Sequence, residues 1–333
     1  MSTQTKPSPV ETTYREALNQ ALREEMRRDE RVFLLGEDIG VYGGVYAVTR
    51  GLLEEFGERR VRDTPIAESV IVGAGIGSAM GGLRPVAELQ TINFSLLAMD
   101  QIVNHAAKIR YMSGGQICVP LTIRTVSGGG NQLAAQHSQS FEGWYASVPG
   151  LKVAAPFTPH DAKGLLKASI RDDNPVIFIE HSLLYSTRGP VPPEEYLVPL
   201  GQAEVRRRGK NVTLVSYSRM VGLCLAAAEK LATEGIEAEV IDLRTLRPLD
   251  IETVIASVQR TKHAVVVEEG WRTGGFGAEV ASQIAERAFD YLDAPVARLA
   301  GADCPMPYAK NLELMALPSE EDIVAAAQGL LGR

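Results

Sequence analysis

Short, nearly continuous apolar runs recur along this chain: RVFLLGEDI, VPLTIRT, PVIFIEH, NVTLVSYS and AVVVEE. A strand that is apolar on both faces has to be covered on both faces. The segments between the runs carry the cover. After Thr13-Tyr14-Arg15-Glu16, a capping-box pattern, Ala17, Leu18, Leu22 and Met26 follow at helical spacing, which predicts a helix to about Arg28. TPHDAKGLLKASIRDD and DIETVIASVQRT read as further helices. Strand and helix in alternation specify an α/β fold around parallel sheets.

The same reading divides the chain. A first unit, residues 1–190, runs through the strands RVFLLGEDI, RPVAELQ, VPLTIRT, LKVAAP and PVIFIEH, with one long helix expected over SLLAMDQIVNHAAKIRYM. The segment 186–200, STRGPVPPEEYLVPL, holds four prolines and little periodicity, and reads as the connection. A second unit, residues 200–333, alternates NVTLVSYS, a helix over 219–234, the single strand AEVIDLRTL, DIETVIASVQRT, AVVVEE, a helix over 277–290 and PVARLAG. A last amphipathic helix starts near Ser319, with Glu320 and Glu321 favourable to its dipole.

With 333 residues, 45% of them hydrophobic and 23% charged, the chain has ample core for a soluble globular protein. Its net charge of -7 argues against nucleic acid or an anionic membrane as partner, since both favour basic patches. The run Arg206-Arg207-Arg208, before Gly209 and Lys210, reads as a solvated turn. Three widely spaced cysteines, Cys118, Cys224 and Cys304, without a C-x-x-C pair, imply neither a disulfide framework nor zinc, and point to a reducing cytoplasm. The polar stretch MSTQTKPSPVETT is not a secretory signal, and no run is long enough to span a membrane.

DTPIAESVIVGAGIGSAMGG, residues 63–82, resembles a dinucleotide loop, but Ser78 stands where the third glycine of the fingerprint belongs. Gly73, Gly77 and Gly81, four apart, predict instead one face of a helix open to close packing. Glu68 then falls at the helix start. It is read either as a dipole-favoured carboxylate or, because Ile66, Ala67, Val70 and Ile71 around it are apolar, as an enclosed acid able to share a proton with a ligand.

Several stretches taken in order resemble one family: LLGEDIGVYGGVYAVTRGL, RVRDTPIAES, GLRPVAELQTINFSLLAMDQIVNHAAKIRYMSGGQ, AAQHSQSFEGWYASVPGLKV and AKGLLKASIRDDNPVIFIEH, then VTLVSYSRM, VIDLRTLRPLD, VVVEEGWRTGGFGAEV and GADCPMPYAK. They are similar to the beta subunits of thiamine-diphosphate-dependent 2-oxo acid dehydrogenases. INFSLLAMDQI and AAQHSQ lean toward the pyruvate-using branch, with acetoin-cleaving and branched-chain members as alternatives. The resemblance implies a pyrimidine-binding thiamine-enzyme domain followed by a transketolase C-terminal-like domain. It also implies a two-alpha, two-beta heterotetramer whose alpha chain holds the diphosphate and Mg2+ through a G-D-G motif. No G-D-G occurs in this sequence. The partner implied downstream is a dihydrolipoamide acyltransferase core that receives the acetyl group on lipoamide.

On the same grounds Glu68 matches the acid that activates the aminopyrimidine. Phe94 resembles the aromatic packing that ring, and Glu37, Ile66 and Gln90 align with other cofactor-pocket positions. His137, in AAQHSQ, resembles the histidine facing the thiazolium and substrate, a residue type that exchanges protons in the neutral range. His105, His160, His181 and His263 are left structural. The resemblance also implies a potassium ion on carbonyls of Leu121, Ser169, Ile170, Asp172 and Asn174, although a plain helix stop before Pro175 accounts for the same residues. Gly274, Gly275 and Gly277 read as a packing or subunit-contact turn, and Asp303 aligns with a region that docks the acyltransferase core. The rival readings are a purely scaffolding subunit and a nicotinamide-binding Rossmann enzyme.

Overall fold

The computed structural model describes residues 8–332; the first seven residues of the polar stretch MSTQTKPSPVETT lie outside it. In chain order the first unit runs β1 (Val10–Thr13), α1 (Tyr14–Arg28), β2 (Val32–Gly36), α2 (Leu52–Phe56), β3 (Val61–Asp63), α3 (Glu68–Met80), β4 (Arg84–Glu88), α4 (Ile109–Met112), β5 (Thr122–Ser127), α5 (Glu142–Ala146), β6 (Lys152–Ala154), α6 (Pro159–Arg171), β7 (Val176–His181) and β8 (Arg188–Val191). The second unit runs β9 (Glu204–Arg207), β10 (Val212–Ser216), α7 (Met220–Thr233), β11 (Ala238–Asp242), β12 (Thr245–Arg247), α8 (Ile251–Thr261), β13 (Ala264–Trp271), α9 (Phe276–Ala288), β14 (Ala297–Gly301), α10 (Lys310–Met315) and α11 (Glu320–Leu330).

The expected capping box is present, and a second one, not expected from the sequence, accompanies it. Thr13 and Glu16 close the start of α1, and Ser319 with Asp322 closes α11. The apolar runs are buried strands, with every residue of β2, β4, β5, β7, β10 and β11 inside. They form a seven-stranded sheet in the order β12-β6-β7-β5-β4-β2-β3, and a five-stranded sheet in the order β14-β13-β10-β11-β9. Within the first sheet all pairings from β6 to β3 are parallel.

Five expectations are corrected. AEVIDLRTL is not one strand: β11 stays in the second sheet, while β12 crosses to pair antiparallel with β6 in the first. The proline-rich connection contains β8, which pairs antiparallel with β1. Arg206-Arg207-Arg208 is not a solvated turn. Arg206 and Arg207 lie in β9, and Arg206 ion-pairs with Asp161 and Asp242, both fully buried. The burial of those two acids draws the guanidinium inward. SLLAMDQIVNHAAKIRYM is broken into a 3-10 turn (Phe94–Ala98), a wide π-type segment (Gln101–Ala106) and α4, so no single helical register runs through it.

The fifth concerns the glycines of residues 63–82. Gly73, Gly75 and Gly77 sit inside α3 rather than in a loop opening a helix, and Gly81 caps its end, which removes the dinucleotide fingerprint. Their packing also differs from the expected face. A Cβ at Gly77 would meet nothing within 4 Å, whereas one at Gly75 would lie 3.0 Å from Leu121 Cδ1. The close approach is therefore at Gly75, and Gly77 faces outward.

All three cysteines are free, with Cys224 buried and Cys304 exposed. Among the described residues, no helix is long and apolar enough to cross a membrane.

Candidate active site

Parallel strands place their following loops on one edge of the sheet, where α/β folds bind ligands. Here four adjacent strands each deliver a candidate residue there. Glu37 follows β2, Glu68 follows β3, Gln90 and Phe94 follow β4, and His137 follows β5. The chain runs from β2 out to β3, then returns to β4 on the other side of β2, so the candidates straddle the point where strand order reverses.

Glu68 is the first residue of α3 and only 6% exposed. Its enclosure does not come from all the neighbours expected: Ile71 is buried, but Ile66 and Val70 point outward. No hydrogen bond or ion pair engages its side chain among the described residues. A carboxyl set this deep in a sheet edge and left unpaired is open to a hydrogen bond from a ligand. Glu37 is buried as well, and burial, followed by the charges of Glu68 and Asp38, pushes its carboxyl above the ordinary range.

Phe94 opens the 3-10 turn after β4 and meets His137 edge to face, with ring centroids 5.1 Å apart. Asn93 holds the two loops together: its Oδ1 accepts from the backbone N–H and the side-chain amide of Gln139, both at 3.0 Å. His137 is exposed, Gln90 half-buried and Ile66 exposed. The structure thus gathers the cofactor and catalytic candidates on one sheet edge, with the acids inside and His137 and Ile66 at the surface.

A buried ionic group beneath this edge escaped the sequence reading. Arg124 in β5 pairs with Glu88 Oε2 at 2.5 Å and with Glu180 Oε1 at 2.7 Å, and Tyr185 donates to Glu180 at 2.7 Å. Glu88 and Arg124 are in register across β4 and β5. The available signal was a charged residue in each of three fully buried strands, Glu88 in β4, Arg124 in β5 and Glu180 in β7.

Of the residues assigned to potassium, Ile170 and Asp172 meet Arg84 at the end of α6. Its Nε donates to Ile170 O at 2.8 Å and a terminal nitrogen to Asp172 O at 2.7 Å. Leu121 O accepts from Val176 N, and Ser169 O accepts from Asp172 N. The side chain of Ser169 is turned back to Leu165 O, so only its carbonyl is free to face a cation. Asp172 also takes Lys152 and the Asn174 amide, which hold its carboxyl below the usual range against the effect of burial. Each of these carbonyls keeps a second lone pair, the donor type that a hard cation takes. In the second unit, Asp303 accepts from Thr273 N and Oγ1, and Gly277 N–H donates to Glu268 at the start of α9.

Residues 10–187 match the family model "Transketolase, pyrimidine binding domain", and residues 201–323 match "Transketolase, C-terminal domain". Over 96% of its length the chain is 54% identical to "Pyruvate dehydrogenase E1 component subunit beta-1, mitochondrial" of Arabidopsis thaliana, covering 89% of that protein. It is 49% identical to the corresponding beta subunit of Homo sapiens, over 98% of this chain and 92% of the relative. The solved structure "Split gene transketolase, inactive beta4 tetramer" superposes with a TM-score of 0.79 at 25% identity, covering 96% of this chain and 98% of that one.

Proposed function

Because the chain belongs to the thiamine-diphosphate-dependent pyruvate dehydrogenase beta-subunit family, we propose that it supplies half of an active site that oxidatively decarboxylates pyruvate and passes the acetyl group to lipoamide. The observation that carries this reading is Glu68, buried at a sheet edge with no protein partner. When bound, thiamine diphosphate would supply the nucleophilic thiazolium carbon for a 2-oxo acid. Glu68 would hold the aminopyrimidine through a hydrogen bond and keep the proton that tautomerisation of that ring requires. Phe94 packs the ring, with Ile66, Gln90 and Glu37 completing its surroundings. His137 moves a proton at the substrate side or assists transfer to the lipoyl group.

The diphosphate and Mg2+ belong to an alpha subunit in a two-alpha, two-beta heterotetramer. Exposed apolar residues Ile66, Val70, Met80, Leu97, Tyr111 and Met112, with outward Gly77 among them, support a large partner surface beside the site. A dihydrolipoamide acyltransferase core as acceptor, potassium at the end of α6, a two-unit division at 190 and 200, and the cytoplasm as compartment complete the proposal; the cytoplasm rests on the three free cysteines. The relatives named above are mitochondrial.

The test is Glu68→Gln in a co-expressed alpha–beta tetramer assayed with pyruvate, branched-chain 2-oxo acids and acetoin. Turnover is expected to fall by about a hundredfold or more. Activity near that of the unaltered tetramer would remove Glu68 from the mechanism, and a preference for another substrate in the panel would reassign the branch.

A further inference from the structure

The glycine-rich loop SGGGNQLAAQHSQ leaves β5 and carries His137, and its amides are spoken for by the other half of the molecule. Gly129 N–H donates to Glu269 Oε1 at 2.6 Å. Gly130 N–H donates to Glu313 Oε1 at 2.9 Å, and Gln132 N–H reaches the same oxygen at 3.0 Å and Oε2 at 3.2 Å. Glu269 lies in β13 and Glu313 in α10, both in the second unit.

Successive amides turned inward around an anion form the kind of concavity that often cradles phosphate. Here the anions are the protein's own carboxylates. The glycines follow from that geometry. Gly128 has φ +89°, and a Cβ there would sit 2.2 Å from His181 Nε2 and 2.7 Å from Glu269 Oε1. Gly130 has φ +100°, and its Cβ would sit 2.6 Å from Leu183 Cδ1. Side chains at either position would push the loop off its anchors.

The two carboxylates are themselves fixed differently. Glu269 takes His181 Nε2 at 3.0 Å and Arg219 at 3.4 Å as well as the loop amide. Glu313 is 1% exposed and has no ion-pair partner among the described residues, so the loop amides are what stabilise its charge. The far end of the loop is tied by Gly128 N–H to Gln139 O and by Gln139 to Asn93. His137 therefore stands on a segment gripped at one end by the second unit and at the other by the loop that bears Phe94.

We propose that Glu313 and Glu269 are positioning residues, which set the placement of His137 from the second unit through the backbone of this loop. The proposal rests on the role given above to His137. It assigns the second unit a share in catalysis where its sequence shows no catalytic cluster.

The experiment uses the co-expressed tetramer with Glu313→Asp, Glu313→Gln and, as a control, His137→Ala. Asp keeps the charge but is one methylene too short; Gln keeps the reach and one acceptor oxygen. Hydrogen exchange at residues 129–132 is expected to quicken about tenfold or more in Glu313→Asp, and to stay within about threefold in Glu313→Gln. kcat with pyruvate should fall about tenfold in Glu313→Asp with a smaller change in KM, and be largely retained in Glu313→Gln. Unchanged exchange in Glu313→Asp overturns the anchoring. Faster exchange with unchanged kcat, in a tetramer that His137→Ala does impair, overturns the positioning role. If His137→Ala leaves turnover intact, the reading of His137 itself fails, while the exchange rates still decide whether Glu313 holds the loop.

Discussion

Phe94 and His137 meet edge to face, their ring planes 77° apart, and so join the loop after β4 to the loop after β5. An aromatic pair of this kind contributes about 1 kcal/mol beyond its buried area. The contact matters more for where it lies, because it aligns a ring-packing side chain with a proton carrier. Phe94→Ala in the tetramer is expected to weaken thiamine diphosphate binding about tenfold in a titration, with Phe94→Leu intermediate. Equal affinity in all three proteins would place the cofactor elsewhere.

Gly128→Ala should be far more harmful than an ordinary glycine-to-alanine change. The added methyl group collides with His181 and Glu269 in a backbone conformation that side chains rarely adopt. Loss of stability is expected to be about 2 kcal/mol or more, seen as a lowered melting temperature of the tetramer and accelerated exchange across residues 128–139. A melting temperature within a degree of the parent would contradict the packing described for this loop.

The pH dependence of stability should carry the signature of Glu142. It is 4% exposed, and burial pushes its carboxyl from 4.5 up to about 7, against the Ser127 hydroxyl that bonds it and with the charges of Glu269 and Glu268 adding to the rise. The folded state therefore holds this proton more tightly than the unfolded chain. Its contribution is fully present below about 4.5 and is lost as pH rises through about 7, an effect on the order of 3 kcal/mol. Glu269 runs the other way. Burial opposes its ionisation, but His181, Arg219 and the Gly129 amide outweigh burial and hold it at about 2, so its contribution is present above 4.5 and lost as pH falls. Melting temperatures at pH 5 and pH 8 test this directly. Glu142→Gln should lose less than the parent between the two, and parallel curves would refute the assignment.

Exchange of choline for potassium at constant ionic strength should raise the melting temperature by a few degrees if the carbonyls at the end of α6 take the ion beside Arg84. Equal melting in the two salts would leave that helix end to the protein's own cations, Arg84 and Lys152.

Much of this was readable from local pattern. Apolar runs in β2, β5, β7 and β10, the box at Thr13 and the helix start near Ser319 are local signals, and each is borne out in the fold. What escaped is non-local. LRTL extends naturally from AEVID because both are extended and apolar, and nothing in those residues says that the second piece pairs with β6. The triplet at 206–208 looked solvated because the buried partners Asp161 and Asp242 are remote in sequence. Glu313 and Glu269 read as unremarkable acids for the same reason: their targets are backbone amides more than a hundred residues away. The glycines at 128–130 were visible, but a loop that needs glycine for an external phosphate and one that needs it for an internal carboxylate look alike on paper.

The crossing of β12 has a practical consequence for anyone dissecting this molecule. Severing the chain in the proline-rich connection would not release two self-sufficient halves. The amino-terminal fragment would lose the short strand that shields the outer rim of β6, baring backbone donors and acceptors ready to recruit a stranger, so insolubility of that fragment would reflect a missing neighbour rather than a defective fold.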